Sequence, residues 1–157
     1  MIDTSASRIW YRFNRIIVIL VIVVAAYFLV PRFSSSTNIV NLVRQTFLLT
    51  LISYGMALSM LVAGLDLSIG SVAALSSCLA ATLISSGNVL MGILVGLGVG
   101  GVCGVTNGVV IAKFKLPDFV MTFSMMFIAR GLALTYTQGM SIYGYPKSFS
   151  WIGKGFI

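Results

Sequence analysis

Long apolar runs, separated by short polar or glycine-bearing breaks, divide the chain into five stretches. The first, residues 16–30, is unbroken from Ile16 to Val30 and ends at Pro31-Arg32. With Phe13 beside it, it approaches the roughly 17 residues that span a bilayer. Residues 46–64 make a second span, and residues 69–85 a shorter third rich in Ala and Ser. Residues 89–112 form a fourth, stopped by Lys113-Phe114-Lys115, and residues 119–136 a fifth that Arg130 interrupts. In lipid, every backbone polar group must be satisfied within the protein, so runs of this length predict helices. The pattern predicts an all-α fold, a polytopic transmembrane helical bundle of about five membrane segments over residues 16–137.

The breaks set the topology. Residues 1–15 carry Arg8, Arg12 and Arg15 among Trp10, Tyr11 and Phe13, a basic and aromatic interfacial segment expected in the cytoplasm. Phe28-Leu29-Val30-Pro31 is a poor cleavage site, so the first run reads as an uncleaved helix rather than a signal peptide. Arg32 to Asn41, with Ser34-Ser35-Ser36-Thr37-Asn38, suits an external link or the cap of the next helix. Ser86-Gly87-Asn88 predicts a tight turn. Four crossings from a cytoplasmic N-terminus return the chain to the side where Lys113 and Lys115 sit, as the positive-inside rule requires. The same scheme leaves Arg32 and Arg44 outside, against that rule. Residues 138–157, with Gly139, Gly144, Pro146, Trp151, Gly153 and Gly155, read as an external loop or interfacial tail.

Composition narrows the function classes. With 59% hydrophobic and 8% charged residues in 157, and a mean hydropathy of +1.06, the bilayer is this chain's solvent. A net charge of +7 would suit nucleic acid, but the ten basic residues lie mostly at the ends of the apolar runs and report topology instead. There is no His, only three acids are present, and Gly153-Lys154 is followed by Gly rather than Ser or Thr. Metal hydrolysis, His-activated nucleophiles and ATP hydrolysis by this chain are excluded on that ground, so no enzyme and no bound cofactor are expected. Cys78 and Cys103 lie in apolar spans as small hydrophobes.

One polar insert stands out: Gly64-Leu65-Asp66-Leu67-Ser68-Ile69-Gly70-Ser71, whose Asp66 is the only charge between Gln45 and Ala112. A carboxylate there asks for a partner, a water-filled niche or a membrane surface. The insert is either a tight corner or a break in a discontinuous helix. Asp66 and Ser68 are placed to accept from the first N–H groups of the following helix, with substrate contact as the other role, and Gly64 and Gly70 permit close approach. Counting from Thr46 puts Asp66 near the inner face, roughly 18 Å from the level of Arg130, too far for an ion pair without a re-entrant insert. Asp118 is placed to cap the fifth helix. Gly92, Gly96, Gly100, Gly104 and Gly108 form a stripe that winds slowly around the fourth helix and predicts close packing with more than one neighbour.

Residues 63–71 resemble the Gly-Gly-Ile-Asp-Leu-Ser-Val-Gly-Ser segment of the inner-membrane permeases of bacterial ABC importers for ribose, related monosaccharides and sugar-like quorum signals. Asn107-Gly108, then Lys115 to Thr122 and Ala129-Arg130-Gly131, are similar to a second block of that family. Phe123-Ser124 stands where the family has Leu-Gly, and Ala63 where it commonly has Gly. The resemblance implies Gly64, Asp66, Ser68, Gly70, Ser71, Asn107, Pro117, Thr122, Arg130 and Gly131 as motif or pathway residues. It further implies a multi-pass permease of the bacterial inner membrane, working with a second permease chain, an external solute-binding protein and ATPase subunits that use the ATP. Family permeases are about twice as long, so the expectation is an N-terminal half, truncated or split, that does not transport alone. A small membrane scaffold packing through its glycine stripe is the rival from another class. An ion or proton pathway through Asp66 and Arg130 is a third.

Overall fold

A computed structural model describes residues 4–62 and 64–154. Ala63 and the two ends of the chain lie outside the described residues. So do the side chains of Arg8, Trp10, Tyr11, Arg12, Arg15 and Trp151, on which the two interfacial assignments rest. Among the described residues six helices follow in order: α1 Thr4–Leu29, α2 Ser36–Leu61, α3 Ile69–Ser85, α4 Val89–Phe114, α5 Asp118–Thr137 and α6 Lys147–Lys154. By length and composition α2, α4 and α5 suffice to cross a membrane, while α3 and the Ile16–Leu29 part of α1 are shorter apolar helices. The chain is an all-α helical membrane bundle.

The chain divides into two compact units, residues 1–47 and residues 48–157. The first holds α1, a tight turn and the start of α2. Arg32 turns the chain at φ 63°, and Phe33 and Ser35 donate their N–H groups back to Val30 and Arg32. The Ser35 hydroxyl accepts from the Asn38 N–H at 3.3 Å, and the Asn38 amide donates to the Phe33 carbonyl at 2.6 Å. These contacts explain why α2 starts at Ser36, ten residues before the expected 46. A serine three residues ahead of a free helical N–H begins a helix rather than separating two. Arg44 accordingly lies inside α2.

In the second unit α3 packs against both α4 and α5, and α4 meets α5. Ser86-Gly87-Asn88 reverses the chain between α3 and α4. Ser86, Gly87 and Asn88 donate to the carbonyls of Thr82, Ile84 and Leu83, with Gly87 at φ 96°. An L side chain at that angle is strained, so Gly87→Ala is expected to cost about 1 kcal/mol, measured by thermal unfolding in detergent.

The core is small: Leu75, Ala129 and Ala133, with Val72, Cys78, Leu79 and Val99 against them. Ser68, Ser71, Asn107 and Thr122 are buried beside it, while Phe47, Leu97, Phe127 and many other large apolar side chains are exposed. Polar groups inside and apolar groups outside are what a lipid solvent selects.

The glycine stripe has one neighbour along part of its length. A methyl group placed at Gly92 would fall 2.5 Å from Ile84 Cγ1 and 2.8 Å from the Ala80 carbonyl oxygen. At Gly96 it would fall 3.3 Å from Ala80 Cβ, and at Gly100 3.8 Å from Ser76 Oγ. At Gly104 and Gly108 it would meet nothing within 4 Å. The close approach is thus made by α3 alone, among the described residues, because the stripe drifts about 40° with each four-residue step and leaves that contact line.

Candidate functional site

Gly64 to Ser68 of the polar insert form the non-helical link between α2 and α3, and Ile69, Gly70 and Ser71 open α3. An open backbone at membrane depth must have its N–H and C=O groups satisfied by something other than a helix. Here nearby side chains and the end of α2 meet several of them. Gly64 N–H donates to the Ser59 carbonyl at 3.1 Å, and the Ser59 hydroxyl donates to the Gly64 carbonyl at 3.3 Å. Asp66 Oδ1 accepts the Ser68 N–H at 2.8 Å and the Ser68 hydroxyl at 2.6 Å. The Thr122 hydroxyl, on α5, is shared between the Leu65 carbonyl at 3.0 Å and the Asp118 carbonyl at 2.9 Å.

The capping expectation is corrected in detail. Ser68 is the residue preceding α3 and makes no side-chain cap. Its backbone is already helical, at φ −82° and ψ −17°, and its carbonyl accepts from the Val72 N–H at 2.8 Å. Asp66 meets the expectation one step early, accepting the N–H of Ser68, the residue just ahead of α3 whose backbone is already helical. Asp118 is likewise not a cap: Pro117 precedes α5 without a capping bond, and Asp118 occupies the first turn. There its carboxylate lies against Gly64, where an added Cβ would stand 3.0 Å from Asp118 Oδ2.

Asn107 ties α4 to this link, its Nδ2 donating to Ser68 Oγ at 3.0 Å. The direction follows from the neighbours. The Ser68 hydroxyl gives its one proton to a carboxylate, which only accepts, so Asn107 must present its NH₂ to Ser68. Asn107 Oδ1 then points away from Ser68, buried and without a partner among the described residues. Asp66, Gly64, Asn107, Thr122, Asp118, Ser59, Gly104 and Gly108 share the lining of one cavity of about 280 Å³.

Asn107 is seven residues from the end of α4 and Thr122 four residues into α5, so the link lies about 6–10 Å in from the α4–α5 loop. The bond to Thr122 sets the level of Leu65, and Arg130, eight residues on, is about 12 Å further along α5. That is closer than the 18 Å obtained from span counting, because the link is set back from the helix ends. Arg130 still faces a different cavity, of about 500 Å³, with Gly70, Ser71, Met126 and Thr137. Pro117 and Gly131 line neither cavity.

The predicted residues therefore separate into a link cluster of Gly64, Asp66, Ser68, Asn107 and Thr122 and a second group of Gly70, Ser71 and Arg130. Sequence reasoning missed the part of Asp118 and of the Leu65 carbonyl in the first. Asp118 carried a signal, being one of only three acids in the chain, but a residue just before a helix reads as its cap.

Residues 38–156 match the family model described as branched-chain amino acid transport system / permease component. The chain is 41% identical over 142 residues to the ribose import permease protein of Bacillus subtilis, a match that covers 88% of this chain and 44% of the relative. Its counterpart in Escherichia coli K12 is 32% identical over 145 residues, covering 89% and 45%. The L-arabinose ABC transporter permease protein of Azospirillum brasilense is 32% identical over 155 residues, covering 96% and 46%. The chain thus spans less than half the length of these relatives. No solved structure matches it significantly.

Proposed function

The chain belongs to the family of branched-chain amino acid transport system / permease components, and from that membership we propose that it supplies part of the membrane pathway of an ATP-driven importer for a monosaccharide. The substrate class rests on the relatives, which are named for ribose, L-arabinose and D-allose. The family is one of transport permeases rather than catalysts. In this proposal ATP is bound and used by partner ATPase subunits, an external binding protein delivers the sugar, and a second permease chain completes the pathway. In this proposal the N-terminus faces the cytoplasm, as the positive-inside rule expects from Lys113 in the last turn of α4 and Lys115 just after it.

One observation carries the reading: the two permease-like blocks meet in space. Thr122 reaches the Leu65 carbonyl across 57 residues, and Asn107 reaches Ser68 across 39. The link is thereby held by α4 and α5 through single hydrogen bonds, each worth about 1 kcal/mol. Contacts of that size can exchange when helices rearrange between outward- and inward-facing states.

The test is uptake of radiolabelled ribose, arabinose and allose by cells carrying this chain with the ATPase, the binding protein and the remaining permease segment of a relative. Accumulation of at least one sugar, dependent on this chain, is expected. Absence of accumulation for all three, with the chain present in the membrane, would overturn the assignment.

A further inference from the structure

Arg130 stands in α5 twelve residues after its first and seven before its last, about 18 Å from the start of the helix and about 10 Å from its end. It lines a groove of about 500 Å³ between α3 and α5. The groove follows α5 from Met126 to Thr137, about 16 Å or three turns. Its lining is otherwise mostly small or apolar, with Gly70, Ala74 and Ala133 among it, and Arg130 is its only charge. Arg130 forms no ion pair and no hydrogen bond with another described residue.

None of this chain's acids is placed to supply the counter-charge. They are Asp3, Asp66 and Asp118. Asp66 and Asp118 line the other cavity, about 12 and 18 Å back along α5 from Arg130. Asp3 stands in sequence ahead of the apolar Ile16–Leu29 run, not within it. A second copy of this chain would bring the same three acids, none of them beyond the first turn of a spanning helix. A guanidinium at membrane depth requires water, a carboxylate or backbone carbonyls. A neutral sugar would bring hydroxyls but no charge, and the mostly apolar lining offers a polyol few partners. The groove instead has the length and surface of a seat for a helix that carries an acid, and the chain spans less than half the length of its relatives.

We propose that the α3–α5 groove receives a transmembrane helix of the remaining permease segment, and that a carboxylate on that helix pairs with Arg130. Gly70, Ala74 and Ala133 let the incoming backbone approach closely, as interfaces between membrane helices require. The planar guanidinium offers a carboxylate two parallel hydrogen bonds, which adds direction to the charge. A single pair at a fixed level of α5 sets the register of the incoming helix, which apolar contacts leave free to slide. The inference rests on the reading above that further permease sequence completes the pathway, and is independent of the solute carried.

The test co-expresses the full 157-residue chain with the remaining segment of the Bacillus subtilis ribose import permease as a separate, tagged polypeptide, and measures the chain recovered with the tag. Arg130→Gln is expected to lower recovery at least about tenfold, while Arg130→Lys, which keeps the charge, retains most of it. Ala74→Trp, which fills the groove from an exposed position, should lower it by a similar factor of about ten. The thermal midpoint of the Arg130→Gln chain without the segment should match wild type, so the loss is one of association and not of folding. Arg130→Glu should abolish recovery, and replacing the acids of the segment's spans by Arg, one at a time, should restore it for one of them. Wild-type recovery of Arg130→Gln, failure of every exchange to restore Arg130→Glu, or no association of the wild-type chain overturns the proposal. So does a rise in the midpoint of the chain alone with ribose or with anionic lipid that Arg130→Gln abolishes while association persists, since the groove would then belong to a sugar or a headgroup. Failed sugar uptake with association and its Arg130 dependence intact counts against the transport reading and leaves this one standing.

Discussion

Gly92→Ala lowers the stability of this chain by about 1–3 kcal/mol, and Gly92→Leu by more, while Gly104→Ala leaves it unchanged or raises it by up to about 1 kcal/mol. The two positions belong to one stripe and one helix, so helix propensity acts identically on both. Contact separates them. The added methyl at Gly92 meets the Ala80 backbone oxygen at 2.8 Å as well as Ile84 Cγ1 at 2.5 Å. The Ile84 side chain can rotate, but the Ala80 carbonyl belongs to α3 and cannot give way without moving the helix. The reversal at Gly87 is too short to let α3 and α4 separate at that end, so the strain falls on the whole pair. At Gly104 the methyl meets nothing within 4 Å. Chemical or thermal unfolding of the three variants in one detergent measures the contrast. Equal losses at Gly92 and Gly104 would mean that the stripe acts as a unit and not through α3.

Asp66→Ala is expected to have the largest effect among the polar residues. It removes the acceptor of both the Ser68 N–H and the Ser68 hydroxyl, and Ser68 is only 2% exposed. Hydrogen bonds to a charged group contribute about 1.5–3 kcal/mol each, so a loss of about 2–5 kcal/mol is expected after relaxation. Asp66→Asn keeps one acceptor oxygen without the charge and should fall between the two. Freed from Asp66, the Ser68 hydroxyl can turn its proton elsewhere, and the register with Asn107 loosens. The ranking wild type, Asn, Ala is read from unfolding midpoints, and the quantity of folded chain in the membrane should follow it. An Asp66→Ala chain as stable as wild type would reduce the Asp66–Ser68 turn to an incidental contact.

Apolar run lengths were enough to place α2, α3, α4 and α5 along the chain, because lipid leaves the backbone few alternatives to a helix. They were a poorer guide to where helices begin. α2 extends back to Ser36 because Ser35 and Asn38 work as a cap, although their composition is that of a loop. At the site, Asp66, Ser68, Asn107 and Thr122 were visible as polar residues in apolar company. Their partners were not. Leu65 takes part through its carbonyl, and a backbone group has no residue-type signature. Asp118 turns its carboxylate to Gly64, a neighbour 54 residues away in sequence, so no local rule could separate that role from capping. The glycine stripe was legible as a packing surface, but which of its positions meet α3 depends on the drift of the helix face.

The bond from Thr122 to Leu65 spans 57 residues, and this imposes an order on biogenesis. At about 5–20 residues per second, ribosomal synthesis delivers Thr122 roughly 3–11 s after Leu65. Throughout that interval the Leu65 carbonyl must be served by water or by the insertion machinery. The α3–α4 hairpin, joined by a three-residue turn, can close well before then. Closure of the link is therefore a late event in which α5 arrives at a preformed hairpin, and a nascent chain arrested between α4 and α5 would expose the Gly64–Ser68 backbone to quality-control proteases.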